Sequence, residues 1–135
     1  MGKGSARPDR YAALALGLTV RGAISCAVGC PYEGEIAPGR VALVARLMHG
    51  IGVQHVGVAD TIGVGTPLKV QRALDAALTV YTSDQISGHF HDTYGQALSN
   101  ILACLEEGVA VVDAAVSGAG GCPYAKGASG NVATE

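Results

Sequence analysis

Two histidines separated by one residue are the clearest candidates for chemistry in this sequence. His89 and His91 flank Phe90 within a β-rich run. Alternate side chains of a strand point to the same face, so both imidazoles can reach one ion. Neutral imidazoles combined with oxygen donors suit a divalent metal ion. The alternative is that both histidines are satisfied by hydrogen bonds within a core.

A cysteine in a glycine-rich segment is a second candidate. Cys122 is surrounded by glycines and is followed by Pro123, which restricts its backbone. Such a segment, placed after a strand, can fold over a ligand and carry a reactive thiol. Buried cysteines more often act as small apolar side chains. Both roles therefore stay open on spacing alone.

Two carboxylates complete the set of candidates. Asp60 lies where a β-rich run meets its loop, a position that serves substrate, metal or ligand orientation in barrel enzymes. It could equally cap a turn or a helix. Asp113 lies within the apolar run of residues 111–115, where a carboxylate must be paired or hydrogen-bonded. We expect it to support a neighbouring residue at a strand end.

The elements that must position these residues alternate along the chain. Predicted strands cover residues 22–28, 53–59, 85–91 and 109–116, and predicted helices cover 38–50, 67–80 and 95–107. This alternation predicts an α/β fold with a parallel sheet and right-handed crossovers. A doubly wound sheet is disfavoured because no G-x-G-x-x-G turn follows the first strand. We therefore expect about four βα units of a TIM (β/α)8 barrel, with the chemistry at the carboxyl ends of the strands.

Composition excludes several classes of function. The 135 residues carry a formal net charge of −2, which disfavours binding to nucleic acid or to an acidic membrane surface. The four cysteines do not form the framework of a small secreted domain, and we expect reduced thiols in the cytoplasm. An N-terminal apolar run imitates a signal peptide until Arg21 interrupts it. We expect residues 1–19 to form a tail and a short helix, and residues 20–135 to form the domain.

Four motifs together resemble the 3-hydroxy-3-methylglutaryl-CoA lyase family. They read CAVGCPYEG, DTIGVGTP, HFHDTYG and GGCPYA, at residues 26–34, 60–67, 89–95 and 120–125. The resemblance covers about residues 20–135. Around the thiol the family signature is S-V-A-G-L-G-G-C-P-Y, from which this chain departs at Ala115, Ser117 and Ala119. These exchanges leave Cys122 in place.

The resemblance implies a set of site residues and a reaction. His89, His91 and Asn131 match metal ligands, and Cys122 matches a loop thiol that gives or takes a proton. His89 is also implied in catalysis, and the resemblance places Asp60 and Glu135 near the reacting centre. The family uses a divalent cation, Mg²⁺ or Mn²⁺, to cleave its acyl-CoA substrate by a retro-Claisen reaction to acetoacetate and acetyl-CoA.

Length conflicts with a complete barrel, which needs about 250 residues. Compared with the family, the chain resembles the fourth to seventh strands, and the Arg-Asp pair of the family's first strand does not precede residue 20. We therefore expect little activity from this chain alone, and either homo-oligomerisation or association with a missing half of the barrel. Two alternatives stay open: a related metal-dependent acyl-CoA condensing or aldolase-type barrel, and a non-catalytic half-barrel fragment.

Overall fold

The computed structural model describes residues 7–123 and 130–135. The helices are α1 (Arg7–Ala15), α2 (Pro38–Gly50), α3 (Pro67–Leu78) and α4 (Ala97–Glu106). The strands are β1 (Arg21–Ile24), β2 (Gly29–Cys30), β3 (Gly34–Glu35), β4 (His55–Asp60), β5 (Ile86–Phe90) and β6 (Val111–Asp113). Short 3-10 turns cover Ser83–Gln85 and Val116–Gly118. No helix in this part of the chain is long and apolar enough to cross a membrane.

The main sheet is parallel, with strand order β1-β4-β5-β6. Helices α2, α3 and α4 follow three of these strands in sequence and pack side by side, with α3 in the middle. Parallel neighbours need such crossovers because the chain must return to the same end of the sheet. The predicted α/β fold with a four-stranded parallel sheet is confirmed. Helix α2 has the predicted bounds, and α3 and α4 are each slightly shorter than predicted.

Proline sets the start of two helices. Pro38 and Pro67 lie in the first turn of α2 and α3, where a missing N–H costs nothing because that group has no partner within the helix. The residues before them, Ala37 and Thr66, have extended backbone, as the residue before proline prefers. Both helices therefore begin at the carboxyl end of the sheet.

The hydrophobic core lies between the helices and one face of the sheet. That face presents apolar side chains from three strands, among them Val58, Ile86 and Phe90, and they are buried against α2, α3 and α4. Gly88 leaves room for the Phe90 ring, because a Cβ at Gly88 would lie 2.6 Å from the ring and 3.0 Å from Cys104 Sγ. The apolar strand residues thus anchor the sheet to its helices, and the opposite face is left for other side chains.

The opposite face of the sheet carries small and polar residues. Registered neighbours share a face, so Gly57 lies beside Ser87, and His89 lies beside Asp113. In a closed barrel this face would point to the interior.

The first strand is shorter than predicted. β1 ends at Ile24, and Cys26 adopts a left-handed backbone with φ of 55°. The Cys26 N–H donates to Thr61 Oγ1 at 2.7 Å, and the chain then forms a two-stranded antiparallel hairpin from β2 and β3. Residues 25–28 therefore cross the end of the sheet, because the turn at Cys26 breaks the extended conformation.

The last predicted strand is also too long. β6 ends at Asp113 and is followed by the short turn Val116–Gly118, in which Ser117 has φ of 57°. Residues 131 and 133 form isolated bridges with His91 and Ala115. The chain after the undescribed residues 124–129 therefore returns between the ends of β5 and β6.

The predicted division at residue 19 stays a prediction, with α1 lying within the predicted N-terminal segment.

Candidate active site

The two histidines lie together at the carboxyl end of β5. Their ring centroids are 5.3 Å apart, and both side chains line the same cavity. His91 is 4% exposed, and its Nδ1 is buried without a hydrogen-bond partner. Burial lowers the pKa of His91, and the neighbouring His89 ring lowers it further. The neutral imidazole is therefore favoured, which is the form that can bind a metal ion.

The cavity has a volume of about 500 Å³ and opens on the inner face of the parallel sheet. Each of the four strands contributes to its wall, and so does the segment that contains Cys122. The lining residues include Arg21, Ala23, Ala59, His89, Asp113 and Cys122. Small side chains in the middle of the sheet leave the space, while the charged and thiol groups lie around it. The histidines and the predicted catalytic thiol thus share one cavity.

A second cavity of about 560 Å³ adjoins the first. The two share Ser25, Thr61, Gly121 and Cys122 as wall residues. The remaining wall of the second cavity comes from Cys26, Pro31, Tyr32 and Pro123. Cys122 therefore stands between a polar space near the histidines and a more apolar space near the β2–β3 hairpin.

Asp113 is paired, as its position within an apolar strand predicted. Its Oδ2 accepts a hydrogen bond from Arg21 Nη2 at 2.5 Å and lies 3.3 Å from His89 Nδ1. Arg21 Nη2 also donates to Ser87 Oγ at 2.6 Å. No motif in the sequence indicated Arg21 or Ser87 as site residues. The one local signal was Gly57, since a glycine inside a strand indicates a close approach by another group.

Asn131 lies beside His91 through backbone pairing. The two residues form a β-bridge, and the Asp92 N–H donates to the Gly130 carbonyl at 3.1 Å. The side-chain Nδ2 of Asn131 donates to the Ala119 carbonyl at 3.0 Å. This hydrogen bond connects the predicted third ligand to the segment that leads to Cys122.

Asp60 faces its own loop and is not among the residues that line the histidine cavity. The side chain is fully buried. Its Oδ1 accepts from the Val64 N–H at 3.1 Å and its Oδ2 accepts from the Gly65 N–H at 2.7 Å. Burial raises the pKa of Asp60, and the backbone donors oppose that rise. Asn100 supports the same loop by donating to the Gly65 carbonyl at 3.1 Å. In the structure Asp60 shapes the loop that begins with the cavity residue Thr61.

Glu135 also binds backbone. Its two carboxylate oxygens accept from the Ser117 N–H at 3.0 and 2.9 Å, and the side chain is exposed. Hydrogen bonds from its own N–H and from that of Ser117 lower the pKa of Glu135. Glu135 therefore braces the left-handed turn at Ser117, five residues before Cys122.

The donor set fits part of a metal site. The imidazoles of His89 and His91 share one cavity, and the orphaned Nδ1 of His91 is a buried polar atom in need of a partner. Within residues 7–123 and 130–135, no three His, Cys, Asp or Glu side chains are grouped to hold a metal ion. Two imidazoles would thus need further oxygen ligands, such as the Asn131 amide, to complete a coordination shell.

Comparisons with known proteins identify relatives of this chain. The cytoplasmic 3-hydroxy-3-methylglutaryl-CoA lyase of Homo sapiens is 53% identical over 120 residues, which make up 89% of this chain and 32% of the human protein. The structure of hydroxymethylglutaryl-CoA lyase from Pseudomonas aeruginosa superposes with a TM-score of 0.88 at 52% identity, covering 94% of this chain and 42% of that one. An HMG-CoA lyase from Acinetobacter baumannii, solved with coenzyme A and 3-methylmalate, gives 0.85 at 35% identity, covering 93% of this chain and 41% of that one.

The chain spans between a quarter and about two-fifths of the length of the curated relatives it matches. These relatives include mitochondrial and cytoplasmic forms. The resemblance inferred from the four motifs is confirmed, and so is the fold, as part of the barrel of these lyases. The HMGL-like family model matches residues 10–135, so the chain belongs to the HMGL-like family.

Proposed function

We propose that this chain supplies the metal-binding histidines and the loop thiol of a carbon–carbon lyase that cleaves 3-hydroxy-3-methylglutaryl-CoA to acetoacetate and acetyl-CoA. The observation that carries this proposal is the single cavity lined by His89, His91 and Cys122. Relatives at 52–55% identity are named as such lyases. The chain covers only part of those relatives, so activity of the whole enzyme requires the other barrel strands as well.

A divalent cation, Mg²⁺ or Mn²⁺, would be held by His89 and His91 with the Asn131 amide oxygen, and when bound it lowers the pKa of the substrate alcohol. His89 lies at the cavity wall, where it can also take part in moving the alcohol proton. Cleavage of the carbon–carbon bond leaves an enolate of the thioester, which must gain a proton to become acetyl-CoA. Cys122 lines the same cavity, which supports its thiol as the source of that proton.

Asp60 and Glu135 act on the same site by accepting hydrogen bonds from backbone N–H groups of the segments around it. Asp60 holds the loop that carries Thr61 along the cavity, and Glu135 holds the turn that leads to Cys122. We assign both residues as positioning groups, because their carboxylate oxygens are occupied by backbone N–H donors. A positioning role requires no contact between these carboxylates and the substrate.

The acyl-CoA substrate is proposed to use both cavities. The reacting acid would lie by the histidines, and the apolar neighbouring space between Cys122 and Tyr32 would take the thioester arm. The Acinetobacter baumannii relative was solved with coenzyme A and 3-methylmalate, which supports binding of an acyl-CoA. The position of Cys122 between the two spaces supports its proposed role as the acid that protonates the enolate carbon.

The remaining barrel strands are the proposed partner, supplied by association or within a longer chain. The outermost helices expose leucines at helical spacing: Leu98, Leu102 and Leu105 on α4, and Leu43 and Leu47 on α2. Adjacent helices of a barrel would cover such stripes. We also propose a cytoplasmic location, supported by four cysteines that are all unpaired.

A chimera tests the proposed function directly. Residues 20–135 replace the matching segment of the Pseudomonas aeruginosa lyase, and acetoacetate release from 3-hydroxy-3-methylglutaryl-CoA is measured with Mn²⁺. We expect turnover in the chimera and its loss after Cys122→Ala, with Mn²⁺ binding retained in that variant. A folded chimera without lyase activity contradicts the proposal. If the chimera instead forms carbon–carbon bonds on other acyl-CoA substrates, a condensing enzyme is favoured. The chain alone should release little acetoacetate.

A further inference from the structure

An arginine crosses the inner face of the sheet to reach the last strand. Arg21 begins β1 at one edge, and Asp113 ends β6 at the other edge, with β4 and β5 between them. The guanidinium nevertheless contacts both Ser87 Oγ on β5, at 2.6 Å, and Asp113 Oδ2, at 2.5 Å. Since hydrogen bonds to charged groups are stronger than neutral ones, this bridge holds β1, β5 and β6 in one arrangement.

The strand beneath the guanidinium has no side chain at the crossing point. A Cβ at Gly57 would lie 3.2 Å from Arg21 Nη2 and 3.3 Å from Ser87 Oγ. Both contacts are tighter than ordinary packing, so a Cβ here would displace the guanidinium or the Ser87 hydroxyl by a few tenths of an ångström. The glycine of β4 is therefore part of the same arrangement, and it offers a way to disturb Arg21 without changing Asp113 or His89.

The far end of this bridge meets a predicted metal ligand. The same Oδ2 of Asp113 that receives Arg21 lies 3.3 Å from Nδ1 of His89. An ionised carboxylate can only accept hydrogen bonds, so a hydrogen bond across this 3.3 Å separation would place the ring proton on Nδ1. In a neutral imidazole the lone pair then belongs to Nε2. His89 lines the cavity, so Nε2 is the atom that it offers to a ligand there.

We propose that Asp113, held in place by Arg21, is a positioning residue that fixes the tautomer and ring orientation of His89, so that Nε2 serves a divalent cation in the cavity. This inference rests on the proposed function for the identity of the cation. Carboxylates behind metal-binding histidines act in this way by hydrogen-bonding the nitrogen that is not a ligand. The arrangement also gives the Asp113 carboxylate and the Arg21 guanidinium a partner of opposite charge on this sheet face.

The test combines a tautomer measurement without metal and a binding measurement with Mn²⁺. Histidine nitrogens of the ¹⁵N-labelled chain are assigned by NMR, and the Mn²⁺ dissociation constant is measured by calorimetry. Asp113→Ala should release His89 into a mixture of tautomers and weaken Mn²⁺ binding by about 10–100-fold. Asp113→Asn keeps one oxygen that can accept from Nδ1 and should restore much of both readouts. Gly57→Ala should give an intermediate loss through Arg21.

Asp75→Asn is the matched control, because Asp75 is an exposed carboxylate on α3. It should change neither readout. A folded Asp113→Ala or Gly57→Ala variant that keeps the Nδ1-protonated tautomer and binds Mn²⁺ within twofold of the parent overturns the inference. If Asp113→Ala does not fold, the loss expected for Gly57→Ala decides. If the variants show the expected tautomer changes but the parent chain binds no Mn²⁺, the proposed metal site is contradicted and the positioning of His89 by Asp113 is still supported.

Discussion

Replacing Asp60 with asparagine distinguishes a residue that holds a loop from one that reacts with substrate. The carboxylate is fully buried, and its two oxygens accept backbone hydrogen bonds from Val64 at 3.1 Å and Gly65 at 2.7 Å. Asparagine has nearly the same shape but only one accepting oxygen. Its amide group would face a backbone N–H, so one hydrogen bond is lost and one buried donor is left unpaired.

The expected cost follows from that geometry. A hydrogen bond to a charged group contributes about 1.5–3 kcal/mol, and an unpaired buried donor costs about 1–3 kcal/mol. Part of the loss is offset, because asparagine is neutral and burial disfavours the charged carboxylate, as the raised pKa of Asp60 shows. The free energy of unfolding should therefore fall by about 1–3 kcal/mol, a large share of the roughly 5–15 kcal/mol of an ordinary domain.

Urea unfolding followed by circular dichroism measures this loss. Gly65→Ala provides an independent change at the same contact, since its Cβ would lie 2.7 Å from Asp60 Oδ2. The double variant should be non-additive by at least about 0.5 kcal/mol. Asp75→Asn, at an exposed position, should stay within about 0.5 kcal/mol of the parent. If Asp60→Asn changes the free energy of unfolding as little as Asp75→Asn does but abolishes turnover in the chimera, the loop-holding role is refuted and direct catalysis replaces it.

Three further predictions concern the core and the thiols. Phe90→Ala should lower the free energy of unfolding in urea by about 3–5 kcal/mol, because the ring is 1% exposed, and a loss under about 1 kcal/mol would contradict that packing. Burial raises the pKa of Cys104 to about 11 from an ordinary 9.0, so stability present below pH 9 should be lost as the pH rises through about 11. Cys104→Ala should show a smaller loss over that range in the same assay. Backbone N–H donors lower the pKa of Cys30, whereas burial raises that of Cys26, so iodoacetamide at pH 8 should modify Cys30 before Cys26, as tandem mass spectrometry can determine.

Several features of this protein could be predicted because they depend on neighbours in sequence. Helical periodicity and Pro38 predicted the bounds of α2, and the two-residue period of strands predicted that His89 and His91 share a face. The order of four motifs was enough to identify the family, because a motif is recognised from the sequence itself, wherever the fold places its residues. The apolar strand around Asp113 was enough to predict that its carboxylate has a partner. No neighbouring residue in the sequence indicated which group that partner is.

The tertiary structure decided the contacts that join distant residues. Arg21 and Asp113 are 92 positions apart, and they meet because strand order and register place both on the inner face. Asp60 turns to its own loop instead of the cavity, since buried backbone donors at Val64 and Gly65 satisfy its charge. Hydrogen bonds and charges act at a few ångströms in space, and no periodicity along a chain specifies which strands will be neighbours.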